Sequence, residues 1–339
     1  MEPGRPAPEQ CVTGSSGLAA GPGPPTLRPV LILNTLAPVF LLIAAGAALQ
    51  ATKFVSPGFL KEANRLTYWL GLPVLLFSQL AGSFHNASGA GLMLTAMFVG
   101  TVLVAFAGYG VALLLRLPGA AMGTFVQGGF RGNLAFVGLP VIFALPDAPL
   151  AWGVSARTAA VLTVAPMMVA YNIGGVVVLL LSQHRLGWGM VKPFVKQLAT
   201  TPPLLATLAG IGWALTGWTL PPAVDKTFSA LGEMALPLGL LGVGGSLVTV
   251  KLGADWRRPL ASALVKTALS PLLGWLAGRA LGFGAAELKL VLILMACPTA
   301  IVSYTMVLEL KGDEALAAGT ISLSILTSLV TLAAIVGAF

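Results

Sequence analysis

Residues 128–140 read Gly128-Gly129-Phe130-Arg131-Gly132-Asn133-Leu134-Ala135-Phe136-Val137-Gly138-Leu139-Pro140, inside an apolar segment that runs from about 119 to 146. No ordinary buried helix carries a guanidinium, a carboxamide, four glycines and a proline within thirteen residues. Proline has no N–H to give to residue i−4, so Pro140 releases the carbonyl of Phe136. A cation at mid-span is disfavoured by about 2.5–3.5 kcal/mol on insertion scales. Such groups persist at membrane depth only where protein or a water-filled cavity satisfies them. The stretch therefore reads as a broken membrane helix beside a binding cavity.

The rest of the chain supports a membrane setting. Of its 339 residues 57% are apolar and only 9% charged, and the mean hydropathy is +0.91. Soluble chains carry about 25% charge, so this one cannot cover a soluble surface, which excludes a cytosolic enzyme, a secreted disulfide scaffold and a disordered chain. The apolar runs are continuous rather than alternating, so the spans are helices and not barrel strands. Ten such segments fall at about 30–50, 62–82, 89–115, 119–146, 157–181, 200–218, 226–249, 259–281, 287–310 and 314–338. They leave no room for a separate soluble domain. Residues 1–29, rich in Pro and Gly, have no apolar core for a signal peptide and read as a disordered tail. The polar stretch 182–199 reads as a cytoplasmic linker between a first half, 30–181, and a second, 200–339.

The net charge of +8 suggests no nucleic acid, because the basic residues sit in gaps between apolar runs and act as topology determinants. With the N-terminus outside, the inner loops hold eleven Lys and Arg, among them Lys53, Lys61, Arg65, Arg116, Arg257, Arg258 and Lys311. The outer loops hold three: Arg157, Lys226 and Arg279. Both termini are thus expected on the non-cytoplasmic side.

The two halves resemble each other. A shift of 164 carries Pro38, Leu41, Ala45 and Gly46 onto Pro202, Leu205, Ala209 and Gly210, and Leu72, Pro73 and Leu76 onto Leu236, Pro237 and Leu240. A shift of 158 carries Pro140 onto Pro298, within Ala296-Cys297-Pro298-Thr299-Ala300. A unit of five spans repeats only in inverted orientation, an architecture of secondary transporters, and paired interruptions in its halves point to a midplane site.

The candidate substrate-binding set is Arg131, Asn133, Gly138, Pro140, Cys297, Pro298 and Thr299. Arg131 serves as an anion ligand, pairs with an acid such as Glu233, or snorkels to the inner face. Asn133 binds substrate polar atoms or caps broken backbone. Glu233 carries a coupling proton or pairs with a cation. His85 and His184 are expected in loops, and Gly274 with Gly278 suggests close helix packing. No disulfide is expected between Cys11 and Cys297. No HExxH, Walker A, GxGxxG or GxGD motif occurs, and a CxxC pair is absent, so neither an enzyme, a cofactor nor a metal site is expected.

Three stretches carry a resemblance: Leu36 to Gly46 with Asn64-Arg65-Leu66 and Leu72 to Phe77; Phe130-Arg131-Gly132-Asn133 through Gly138-Leu139-Pro140; and Cys297-Pro298-Thr299 through Tyr304. Together they resemble the auxin efflux carrier family of bacterial permeases, related to plant PIN-formed auxin carriers, from about residue 33 to the C-terminus. The resemblance implies ten spans in an inverted repeat, with broken spans four and nine crossing at the substrate site. It also implies a scaffold and a transport domain that move by an elevator-like route. Asn133, Pro140 and Pro298 match the crossover positions, and Glu233 an acidic position of span seven. Family members are linked to small carboxylates. The long cytoplasmic loop of many plant carriers is absent and residues 301–304 match only loosely, so auxin itself is not implied. The expected function is a secondary transporter of small organic anions in a bacterial inner membrane. Its partners are the bilayer and an anionic substrate; H+ or Na+ coupling and a homodimer stay open. A membrane sensor on the same fold is the alternative.

Overall fold

The computed structural model describes residues 27–81, 90–183, 202–249 and 255–339. The N-terminal tail, His85, His184 and nearly all of the predicted linker lie outside the described residues.

Eight of the ten apolar segments each form one helical run, and two, 119–146 and 287–310, form two runs each. The runs are α1 (Leu27–Ala51), α2 (57–81), α3 (Ala90–Leu114), α4 (Gly119–Phe130), α5 (134–144) and α6 (Ala156–Leu181), then α7 (Pro202–Leu215), α8 (Pro222–Thr249), α9 (257–280), α10 (Ala285–Ala296), α11 (Val302–Glu309) and α12 (Glu314–Ala338). A π-helical turn interrupts α2 at Thr67–Gly71 and α9 at Val265–Leu269, and another, Leu134–Gly138, opens α5. No strand occurs among the described residues. Six helices are long and apolar enough to cross a membrane as they stand: α1, α3, α6, α8, α9 and α12.

Lipid tails are as apolar as leucine, so nothing forces large side chains inward and small residues mediate helix contact. Phe106 and Val330 accordingly face outward. Where α1 meets α8 the backbones touch: a Cβ on Gly46 would fall on the Leu241 carbonyl, and one on Gly244 on the Ile43 carbonyl.

The helices form two packed groups. In one, α8 packs along α1 and α2, and α2 along α7. In the other, α9 packs on α3, α10 and α12, and α4 on α3 and α6. The groups touch along thinner seams, α1 with α5 and α12, α2 with α6, and α5 with α8.

Helix ends carry the charge asymmetry into backbone geometry. After α1, α3 and α11 the chain turns through left-handed residues that are basic, Lys53, Arg116 and Lys311, whereas α7 and α9 end on Gly217 and Gly282. A left-handed conformation costs a side-chain-bearing residue about 1–2 kcal/mol. Positive charge at a helix C-terminus offsets part of that. All three basic turns fall in loops that the charge count assigns to the cytoplasm, where glycine would remove a topology determinant.

Candidate functional site

The chain breaks where the arginine and asparagine stand. Helix α4 stops at Phe130; Arg131 is extended, with ψ of 94°, and Asn133, with ψ of 69°, is neither extended nor helical. Helix α10 stops at Ala296, and α11 begins at Val302. The two breaks cross as an antiparallel bridge between Gly132 and Thr299. The Asn133 N–H donates to the Pro298 carbonyl at 2.8 Å, and the Ala300 N–H to the Arg131 carbonyl at 3.0 Å. Each break thus satisfies backbone groups that the other would leave bare at membrane depth.

Side chains cover the carbonyl ends of the interrupted helices. Thr299 Oγ1 donates to the Gly128 carbonyl at 2.8 Å, and Ser262 Oγ to that of Phe125 at 2.9 Å. Lys266 Nζ donates to the Met295 carbonyl at 2.5 Å and Ser270 Oγ to the same atom at 3.0 Å. The positive ends are treated differently. The N-terminal end of α11, with Ala300 and Ile301 before it and Val302 at its start, opens onto a cavity of about 680 Å³. Its other walls are Glu62, Asn64, Arg65 and Tyr68 of α2, the break 131–133, Leu134 to Phe136, Met168, Tyr171 and Asn172 of α6, and Val243 of α8. The cavity therefore lies on the seam between the two helix groups, and its mouth is beside the exposed pair Glu62 and Arg65.

Arg131 is only 4% exposed, which excludes snorkelling. Its guanidinium donates to the Asn172 side-chain oxygen and touches the Met306 sulfur. The ion pairs among the described residues are Arg65 with Glu62 and Arg258 with Asp255, so no described carboxylate forms an ion pair with Arg131. Glu233 lies elsewhere, on a second cavity of about 350 Å³ with Gln79, Pro140 and Pro237. The expected alternative of an Arg131–Glu233 pair is thereby corrected: the two side chains line different cavities. Asn133, 5% exposed, accepts from the Phe136 N–H at 3.3 Å through Oδ1. Its Nδ2 has no hydrogen-bond partner among the described residues. The amide caps broken backbone with one end and keeps the other free.

The structure separates the remaining candidates. Pro298 lies in the second break, but Pro140 does not lie in the first; it sits seven residues past Asn133, at the start of Leu139–Ala144. It directly follows the π-helical turn Leu134–Gly138 inside α5, so its missing N–H falls where the hydrogen-bond register changes. Gly138 lets the broken helices touch: a Cβ there would come within 2.9 Å of Leu294 and 3.1 Å of Cys297 Sγ. Cys297 is buried and donates to the Ile293 carbonyl at 3.2 Å. Gly138, Cys297, Pro298 and Thr299 thus build the crossing without lining the larger cavity. Sequence reasoning missed Asn172, whose carboxamide inside an apolar segment was as visible a signal as Asn133. It also missed Tyr68 and Met168, which carry no such signal.

The family model for membrane transport proteins matches residues 31–187 and 182–336. No curated protein matches the chain significantly.

Proposed function

The chain belongs to the membrane transport protein family, of the auxin efflux carrier type, and from that premise we propose that this membrane transporter carries small organic anions through the crossover cavity by alternating access. The observation that carries the proposal is a buried guanidinium, Arg131, without an ion-pair partner among the described residues, on a cavity that Asn133 and the N-terminal end of α11 also line. All three favour negative charge. The carbonyl ends that would repel an anion are capped by Thr299, Ser262 and Lys266.

On this reading the ten helical segments cross the membrane as two inverted five-helix repeats, residues 30–181 and 200–339, joined by a linker at 182–199. Two observations support the division. Each half holds one interrupted helix and the interruptions pair antiparallel, and the two matched regions meet at 182–187. The group containing α4, α5, α10 and α11 is the moving body, and α1, α2, α7 and α8 form the frame. The cavity mouth at Glu62 and Arg65 lies on the side that the loop charges assign to the cytoplasm, so the site is open inward. The second cavity, on the same seam beside α5, is where access from the other side forms when the groups slide.

A thermal-shift screen of paired carboxylates and their neutral amides tests the anion site. A carboxylate that stabilises the protein should have an amide partner that does not. Equal stabilisation by both would remove the charge from the account.

Gly175 offers a test that leaves the ligand groups intact. A Cβ there would come within 2.7 Å of Gln127 Nε2 and 3.3 Å of Arg131 Nη1. Gly175→Val should push the guanidinium off its position and lower carboxylate affinity by about tenfold, the value of one misplaced charge-assisted contact. Titration of the purified variant checks this; unchanged affinity would mean that the position of Arg131 is unimportant.

The topology has its own test. Cysteines introduced as Phe54→Cys and Lys226→Cys should be labelled from opposite faces, the first only from the cytoplasm and the second only from outside. The reverse pattern would invert the whole scheme.

A further inference from the structure

Lys266 is fully buried and lines neither cavity. It sits within the π-helical turn Val265–Leu269 of α9, and single π-turns inside α-helices are frequent at functional sites because the extra residue re-aims a side chain. Here the ammonium reaches the end of α10. Nζ donates to the Met295 carbonyl at 2.5 Å and to Ser270 Oγ at 3.3 Å. Met295 belongs to the last turn of α10, whose carbonyls the break deprives of helical partners. A Cβ on Gly132 would come within 3.1 Å of Lys266 Cε and 3.3 Å of Nζ, so the glycine that pairs with Thr299 also makes room for the ammonium beneath the crossing. No carboxylate pairs with Lys266 among the described residues.

A cation held by carbonyl and hydroxyl oxygens at the C-terminal end of a half-helix has the surroundings in which broken-helix carriers coordinate Na+. We infer that Lys266 is a tethered cation: its ammonium occupies an oxygen-lined cation site under the crossover, and the protein therefore needs no alkali ion there. The charge that holds α10 against the first break is covalently attached and moves with the helix group that carries it. Coupling to Na+ at this position is excluded by occupancy, while the anion cavity on the other face of Gly132 stays free for its ligand.

The test uses the full chain, sodium itself and no substrate, so it succeeds or fails independently of the anion reading. Scintillation-proximity measurements with radioactive sodium should show no saturable binding to the wild type, and its melting temperature should be the same in sodium and choline chloride. Lys266→Ala keeps the Met295 carbonyl and Ser270 and removes the tethered charge. It should acquire saturable sodium binding and melt several degrees higher in sodium than in choline. Saturable sodium binding by the wild type would overturn the inference. So would a monodisperse Lys266→Ala that responds to sodium no more than the wild type does. Should Lys266→Ala not purify as a folded protein, Lys266→Ser carries the same comparison, and the wild-type measurement decides on its own.

Discussion

Arg131→Gln should weaken carboxylate binding by roughly tenfold to a hundredfold, because a hydrogen bond to a charged group contributes about 1.5–3 kcal/mol. The substitution keeps an amide donor near Asn172 and removes only the charge and the fork. Arg131 already has neutral partners, Asn172 and Met306, so the variant should still fold. If the residue were purely structural, the melting temperature would fall while the affinity of the surviving protein stayed constant. The two outcomes separate in one experiment, titration of monodisperse protein with its melting curve recorded alongside. Arg131→Lys should lie between, since it retains a point charge but not the planar two-donor geometry.

Gly244→Ala should destabilise the protein by about 3 kcal/mol, the upper range for overpacking. The added methyl would fall on the Ile43 carbonyl of α1. A backbone atom cannot rotate away as a side chain can, so α1 and α8 must separate along their length. These helices make the most extensive contact in the frame, and the apparent melting temperature should drop by roughly 5–10 °C. Gly110→Ala is the control. It lies within α3 with open space where its Cβ would go, and replacing a mid-helix glycine by alanine gains roughly 0.5–1 kcal/mol. A Gly244→Ala protein as stable as the wild type would mean that α1 and α8 do not meet as described.

The helical segments were legible because runs of about twenty apolar residues, separated by basic loops, leave few other readings. The breaks were legible only in part. Arg131 and Asn133 mark the first one directly, but Pro140 points seven residues too far. The register explains why. The shift of 164 that relates Pro38 to Pro202 carries residues 131–133 onto 295–297, beside the second break. The shift of 158, chosen to superpose Pro140 on Pro298, does not. A break forms where the opposite strand offers backbone partners, and Asn133 finds the Pro298 carbonyl. Proline alone does not decide it.

The walls of the cavity were less legible. Tyr68 reaches it from α2 and Asn172 from α6, and no spacing rule links residues that far apart in sequence. Glu233 illustrates the reverse error. An acid and a base in neighbouring spans invite pairing on paper, yet the helices place them on different cavities. The role of Lys266 depends on a π-turn, Val265–Leu269, which no residue type in that apolar segment announces.

Flux through the crossover cavity is the central claim, and counterflow in proteoliposomes tests it most directly. The carboxylate that most stabilises the purified protein would be radiolabelled and offered to vesicles preloaded with the same compound. The account predicts saturable accumulation by the wild type and little by folded Arg131→Gln at the same external concentration. Uptake by the wild type no greater than by protein-free vesicles, or equal uptake by the two proteins, would contradict it.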